Sequence, residues 1–299
     1  MTSTRSLLDK QNRRALWRAV RGNFEPTDPP TTPDSALTEG LRRPFESLAD
    51  TERRLSRLEQ RLRDRDDRRS VFLSIYVKMT REVRDGIDNG RFEHDEWMRS
   101  YVRSFADHYR RAFLHFERGE TEAVPDSWRV AFGQAIGGET LVMQDAFLGV
   151  NAHINYDLAL ALDDIGIDPG RESKYRDHRE INDILAGLVD CQQEMLARMY
   201  ASGVENVDEI FGQFDEVLTL LSMTEGREQA WRVACVRTDV GWPLVDTFAR
   251  WLLSTTSLGV AALILSPGLD DDLQASLRRL EREELGIGTV LERVATEDY

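Results

Sequence analysis

Lysine is almost missing from this chain of 299 residues: of 39 basic residues only Lys10, Lys78 and Lys174 are lysines, and the rest are arginines. Cysteine is as scarce. Cys191 and Cys235 stand alone with no Cys-x-x-Cys spacing, which excludes a disulfide framework and suits small core fillers in a reducing compartment. No uninterrupted apolar stretch follows the opening MTSTRSLLDKQNRR, so the sequence reads as lacking a secretory signal and as cytoplasmic. Nor does any apolar run reach the roughly 20 residues that a bilayer requires. The longest candidate, Trp251 to Leu265, is interrupted by Ser254, Thr255, Thr256 and Ser257, and we read it as a buried helix. Positive charge is also in deficit. Asp plus Glu number 53 and the formal net charge is −14, which excludes a generic coat for DNA or RNA. Arginine stays charged at any pH and is weakly hydrated, so an acidic surface with arginine for lysine fits a halophile's salt-rich cytoplasm; the alternative reading is the high-GC codon bias that favours arginine in many bacteria.

Strand-like alternation of Val, Ile, Thr and aromatics is absent as well, and helical periodicity takes its place. The expected fold is all-α, a multi-helix bundle with a central buried helix and peripheral charged helices. Residues 1–45 read as a basic amphipathic segment, Arg5 to Arg21, and a linker whose four prolines between Pro26 and Ser35 exclude helix and sheet. Residues 46–69 read as a charged peripheral helix with a narrow seam of Leu48, Leu55, Leu58 and Leu62, through which an oligomer is conceivable. Residues 70–268 form the expected all-α core and 269–299 a charged C-terminal helix and tail. Within the core, stripes at Phe72, Tyr76, Met79, Val83 and Ile87 and at Met98, Val102, Phe105, Tyr109, Ala112 and Phe116 mark two helices. Further helices are expected over 139–162, 175–200 and 207–221, another from 227 into the segment around Pro243, and a last one over 277–285.

The most informative window is Leu141 to Leu162, LVMQDAFLGVNAHINYDLALAL, too apolar for a surface helix yet polar at Asn151, His153, Asn155 and Asp157. At 100° per residue His153 and Asp157 share one face, and Asn151 and Asn155 share nearly the opposite one. Each polar group buried there must find a partner or cost about 1–3 kcal/mol. On the next helix His178 and Asn182 are again four apart, on a stripe with Leu185 and Leu188. Two facing helices that each offer a nitrogen and an oxygen ligand can build a site for one divalent metal, zinc or manganese, from His153, Asp157, His178 and Asn182. Asp177 beside them is placed to act as general base on a small-molecule substrate, and Asn151, Asn155 and Tyr76 as a supporting network. That reading makes the chain a metal-dependent hydrolase. The other reading makes the same groups a hydrogen-bonded network that fixes the packing of a non-catalytic helical protein.

The window GVNAHINYDL, with FLSIYVKMT at Phe72 to Thr80, Asp177-His178-x-x-x-Asn182 and Arg227-x-x-x-Trp231, resembles an uncharacterised domain of unknown function associated with haloarchaea and actinobacteria. The likeness spans roughly residues 68 to 240 and implies a helical domain with no assigned reaction. Two further likenesses are thinner. Asp163-Asp164-x-x-x-Asp168 and Asn182-Asp183 to Asp190 are similar to the magnesium motifs of class I terpene synthases, but lie too close together in sequence. The His-x-x-x-Asp pattern is similar to that of zinc-dependent phospholipase C and P1 nuclease, without that family's many other histidines. His94, His108 and His115 are the remaining histidines. His108 and His115 are read as helix-boundary residues half covered by aromatics, and His94 as exposed near a helix start.

Overall fold

The computed structural model describes residues 33–201, 223–265, 271–284 and 286–296, and among these it contains helices and turns but no strand. The first full helix, α1 (Leu48–Arg63), starts where Ser47 Oγ accepts the Asp50 N–H at 3.1 Å. Its leucines Leu48, Leu55, Leu58 and Leu62 are all buried, and the helix packs on α2 (Ser70–Asp88). The leucine seam is therefore filled within the chain.

Next comes α3 (Asp95–Glu117), whose aromatic residues Trp97, Tyr101, Phe105, Tyr109, Phe113 and Phe116 follow one another at helical spacing and are all buried. A short helix, α4 (Asp126–Gly137), stops at Gly138, where φ is +66° and a side chain would be strained. The helix expected over 139–162 is a single rod with a defect: α5 (Val142–Ala152), one π turn at His153–Asp157, and α6 (Leu158–Ile165).

The rod is central because its neighbours enclose it. Helix α5 packs on α2, α4 and α9, and α6 packs on α3 and α8. Close approach is made possible by glycine at two points. A Cβ on Gly149 would lie 2.4 Å from the Phe72 ring, and one on Gly226 would lie 2.7 Å from Asn155 Oδ1.

After the rod, α7 (Arg171–Ala201) runs back past α2, and α8 (Met223–Val240) and α9 (Pro243–Leu265) form a hairpin. The sequence reading carried one helix from 227 to the region of Pro243; instead the chain turns at Gly241, φ +55°, and Pro243 opens α9, where its missing N–H matters least. The helix expected over 207–221 and the side chain of Cys191 lie outside the described residues. Cys235 is a free, half-buried thiol.

One apolar cluster runs from Leu37 through α1 to Ile264 in α9, so α1 contributes to the main core. A second, smaller cluster forms where α10 (Asp271–Arg279), the π turn Leu280–Glu284 and α11 (Ile287–Thr296) cover Val71, Leu141, Val142 and Met143.

Candidate functional site

The π turn places His153 and Asp157 side by side in the middle of the rod, 2% and 1% exposed. His153 Nδ1 lies 2.9 Å from Asp157 Oδ2, and the same oxygen accepts the Trp128 indole N–H at 2.8 Å from α4. Burial pushes the His153 pKa down despite Asp157, so the ring is neutral and its single proton sits on Nδ1, donated to the carboxylate. Its other nitrogen, Nε2, is buried with no hydrogen-bond partner among the described residues. Aromatic rings close the surroundings. Phe105 stacks on the imidazole with centroids 3.5 Å apart, Tyr76 meets it edge-on at 4.5 Å, and Phe72, Tyr109 and Trp128 lie within 6.4 Å. The hydroxyls of Tyr76 and Tyr109 are likewise buried and unpartnered, and burial raises both their pKa values above the ordinary phenol range.

His178 lies in a different group of residues. It is enclosed by Tyr101, one turn before Phe105 on α3, and by Tyr175 and Trp231. Its Nε2 faces the Arg227 carbonyl oxygen at 3.2 Å and so carries the proton, while Nδ1 accepts from the Tyr101 hydroxyl at 2.8 Å. Arg227 donates from its guanidinium to the His178 carbonyl oxygen and, through Nε, to Asn182 Oδ1 at 2.7 Å. Burial and the neighbouring Arg227 charge hold the His178 pKa well below its ordinary value. Arg227 is itself 2% exposed, and burial lowers its pKa, because its guanidinium is met by neutral oxygens and an imidazole and not by a carboxylate among the described residues.

The four residues assigned by sequence to one metal thus divide into two groups. His153 and Asp157 bond to each other, while His178 and Asn182 are joined through Arg227. Among the described residues no three His, Cys, Asp or Glu side chains are grouped as metal ligands. Asp177, expected as a base, spends both oxygens on the residues that lead into helix α3. Its Oδ1 accepts the Glu93 N–H at 2.7 Å, and its Oδ2 accepts the His94 N–H at 2.9 Å and faces His94 Nδ1 at 3.1 Å. A carboxylate there answers the unpaired N–H groups and the positive end of the helix dipole.

Asn151 and Asn155 do stand together on the other face: the Asn155 amide donates to Asn151 Oδ1, and Asn151 donates to the Ser257 carbonyl of α9, each at 2.8 Å. The first aspartate motif is consumed by cations, Asp163 by Arg237, Asp164 by His108 and Asp168 by Arg171. His115 pairs with Glu120. Sequence reasoning missed Phe105, which stacks on His153, Trp128, which donates to Asp157, and Tyr101, which donates to His178. Their signal was present only as aromatic stripes on α3 and α4.

A family model described as a family of unknown function, DUF5995, matches residues 48–267. No curated protein and no solved structure matches the chain.

Proposed function

The chain belongs to the DUF5995 family, whose function is unknown, and from that premise we propose that it is a non-catalytic helical interaction module whose buried Asn/His/Asp groups fix one packing arrangement. The observation that carries this reading is closure. His153, Asp157, His178 and Tyr76 are each 2% exposed or less, and the hydrogen bonds that His153, Asp157 and His178 make run to other side chains and backbone of the same core. Among the described residues, a cavity lined by Arg68, Phe72, Trp128, Phe132, Asp145 and Gly149 measures about 10 Å³, room for one water.

One observation favours the hydrolase instead: the free Nε2 of His153 is the kind of lone pair that a metal or a proton donor would take. Two measurements on the full chain separate the readings. A network predicts metal content well below one zinc or manganese per chain and a loss of about 3–5 kcal/mol in His153→Ala, which leaves the Asp157 charge buried beside a cavity. A stoichiometric metal that disappears in His153→Ala while the melting temperature stays unchanged would establish the site and overturn the network.

A further inference from the structure

Seven large apolar side chains are exposed among the described residues, and six of them fall in one short stretch: Val236, Val240, Trp242, Leu244, Phe248 and Trp251, each 51–63% exposed. The seventh, Ile136, is on α4. Leu244, Phe248 and Trp251 follow at i, i+4 and i+7 on α9, and Val236 and Val240 at i, i+4 on α8, so the hairpin presents two apolar stripes. Phe248 and Trp251 touch each other, with centroids 5.6 Å apart. The rest of α9 is ordinary core: Leu253, Leu258, Ala261, Ala262 and Ile264 are buried.

We infer that this face of the α8–α9 hairpin is the contact through which two copies of the chain form a symmetric dimer. Area is the first argument. At roughly 150–250 Å² per aromatic side chain, the exposed parts of Trp242, Phe248 and Trp251 alone come to about 260–440 Å². With Val236, Val240 and Leu244 beside them and a polar rim added, the face approaches the roughly 800 Å² per partner of a stable interface. Shape is the second. Two neighbouring helix stripes facing their own copies about a twofold axis make a four-helix contact, the arrangement such stripes fill best.

Charge is the third argument, and it selects among occupants. The rim is balanced: Asp246 pairs with Arg237 and with Arg250 at 3.0 Å, and Asp239 with Arg171 at 2.6 Å. A cationic partner gains little from such a rim. Insertion into a lipid surface would strip water from these ion pairs without replacing it. A second copy meets the same balanced rim, and the distant net charge is screened beyond about 8 Å at physiological salt.

The dimer deepens the reading of the chain as an interaction module, and it is measured independently of metal content, so either can fail alone. Sedimentation equilibrium of the full chain should give a species of twice 34.3 kDa that dissociates on dilution. Phe248→Asp and Trp251→Asp, each on a largely exposed side chain, should raise the dimer dissociation constant roughly tenfold or more with unchanged circular dichroism. Ile136→Asp should leave it where it is. If Trp251→Asp unfolds, Phe248→Asp and Leu244→Asp decide the matter. A wild type that stays monomeric at every concentration overturns the proposal, as does a dimer indifferent to these substitutions. A monomer that instead co-sediments with phosphatidylcholine vesicles assigns the face to lipid and equally overturns it.

Discussion

A buried histidine is informative through the atoms it faces. His153 and His178 each have an oxygen-bearing residue four positions on, Asp157 and Asn182, yet only His153 uses it: it gives its Nδ1 proton to Asp157, while His178 gives its Nε2 proton to the Arg227 carbonyl. For His178 the consequence is measurable. Its pKa in the folded protein lies well below the ordinary 6.5, while the unfolded chain takes up a proton near that value. Below pH 6.5 the unfolded state therefore binds the extra proton and gains. The stability that His178 contributes is fully present above pH 6.5 and is lost as the pH falls. Imidazole nitrogen shifts in NMR should show His178 neutral, with its proton on Nε2, at pH 5.5. A midpoint near 6.5 would mean that the Tyr101 and Arg227 contacts do not persist in solution.

At the scale of helices, the all-α class and the central rod were legible because periodicity and burial need only local pattern. Asn151 to Leu162 is buried along nearly its whole length, and the Asn and His/Asp pairs fall on separate faces as 100° per residue requires. The π turn was not legible. It changes the register by a fraction of a turn, which a run of apolar residues on either side hides. Nor was the separation of the two histidine pairs, which depends on Tyr101 and Phe105 occupying successive turns of a third helix. Asp177 misled for a related reason: a carboxylate beside a histidine looks like a base, but its partners are backbone N–H groups far away in sequence. The C-terminal segment shows the same economy. Glu281 accepts the Val142 N–H at the start of α5, and Arg68 reaches Asp145 at 2.6 Å with Glu281 at 4.0 Å, so two buried carboxylates face one guanidinium. Burial outweighs the attraction of Arg68 and of the Thr140 hydroxyl, pushing the Asp145 pKa up to about 6 from 3.8. Here the sign is opposite to that of His178. Between about pH 4 and pH 6 the folded state holds the proton that the unfolded state has released, so this group's contribution falls as the pH rises through that window. Asp145→Asn should flatten that part of the stability profile, removing up to about 3 kcal/mol of pH dependence. Denaturant melts at pH 4.5 and 7 that keep the same difference in the variant would place the titration elsewhere.

For the whole molecule the decisive quantity is the balance between a charge of −14 and the ion pairs that cover it. Most pairs are on the surface, such as Arg91 with Glu180 and Arg176 with Glu93, where each is worth about 0–1 kcal/mol and salt weakens it further. The enclosed ones, Arg68 with Asp145 and Arg69 with Glu117, lie 7% exposed or less and are beyond the reach of mobile ions. Salt therefore acts on two opposed surface effects, removing weak local attraction and removing long-range repulsion among excess carboxylates. The excess wins, because repulsion sums over every unpaired acid while each exposed pair saves little. Raising sodium chloride from about 0.1 M to about 1 M, where the screening length shrinks from about 10 Å to about 3 Å, should raise the melting temperature by several degrees. Potassium chloride should do the same, since screening does not distinguish the two. A melting temperature that falls as either salt is added would show that the arginine pairs, and not the acidic excess, govern the stability of this surface, and would remove the physical basis for reading the composition as an adaptation to brine.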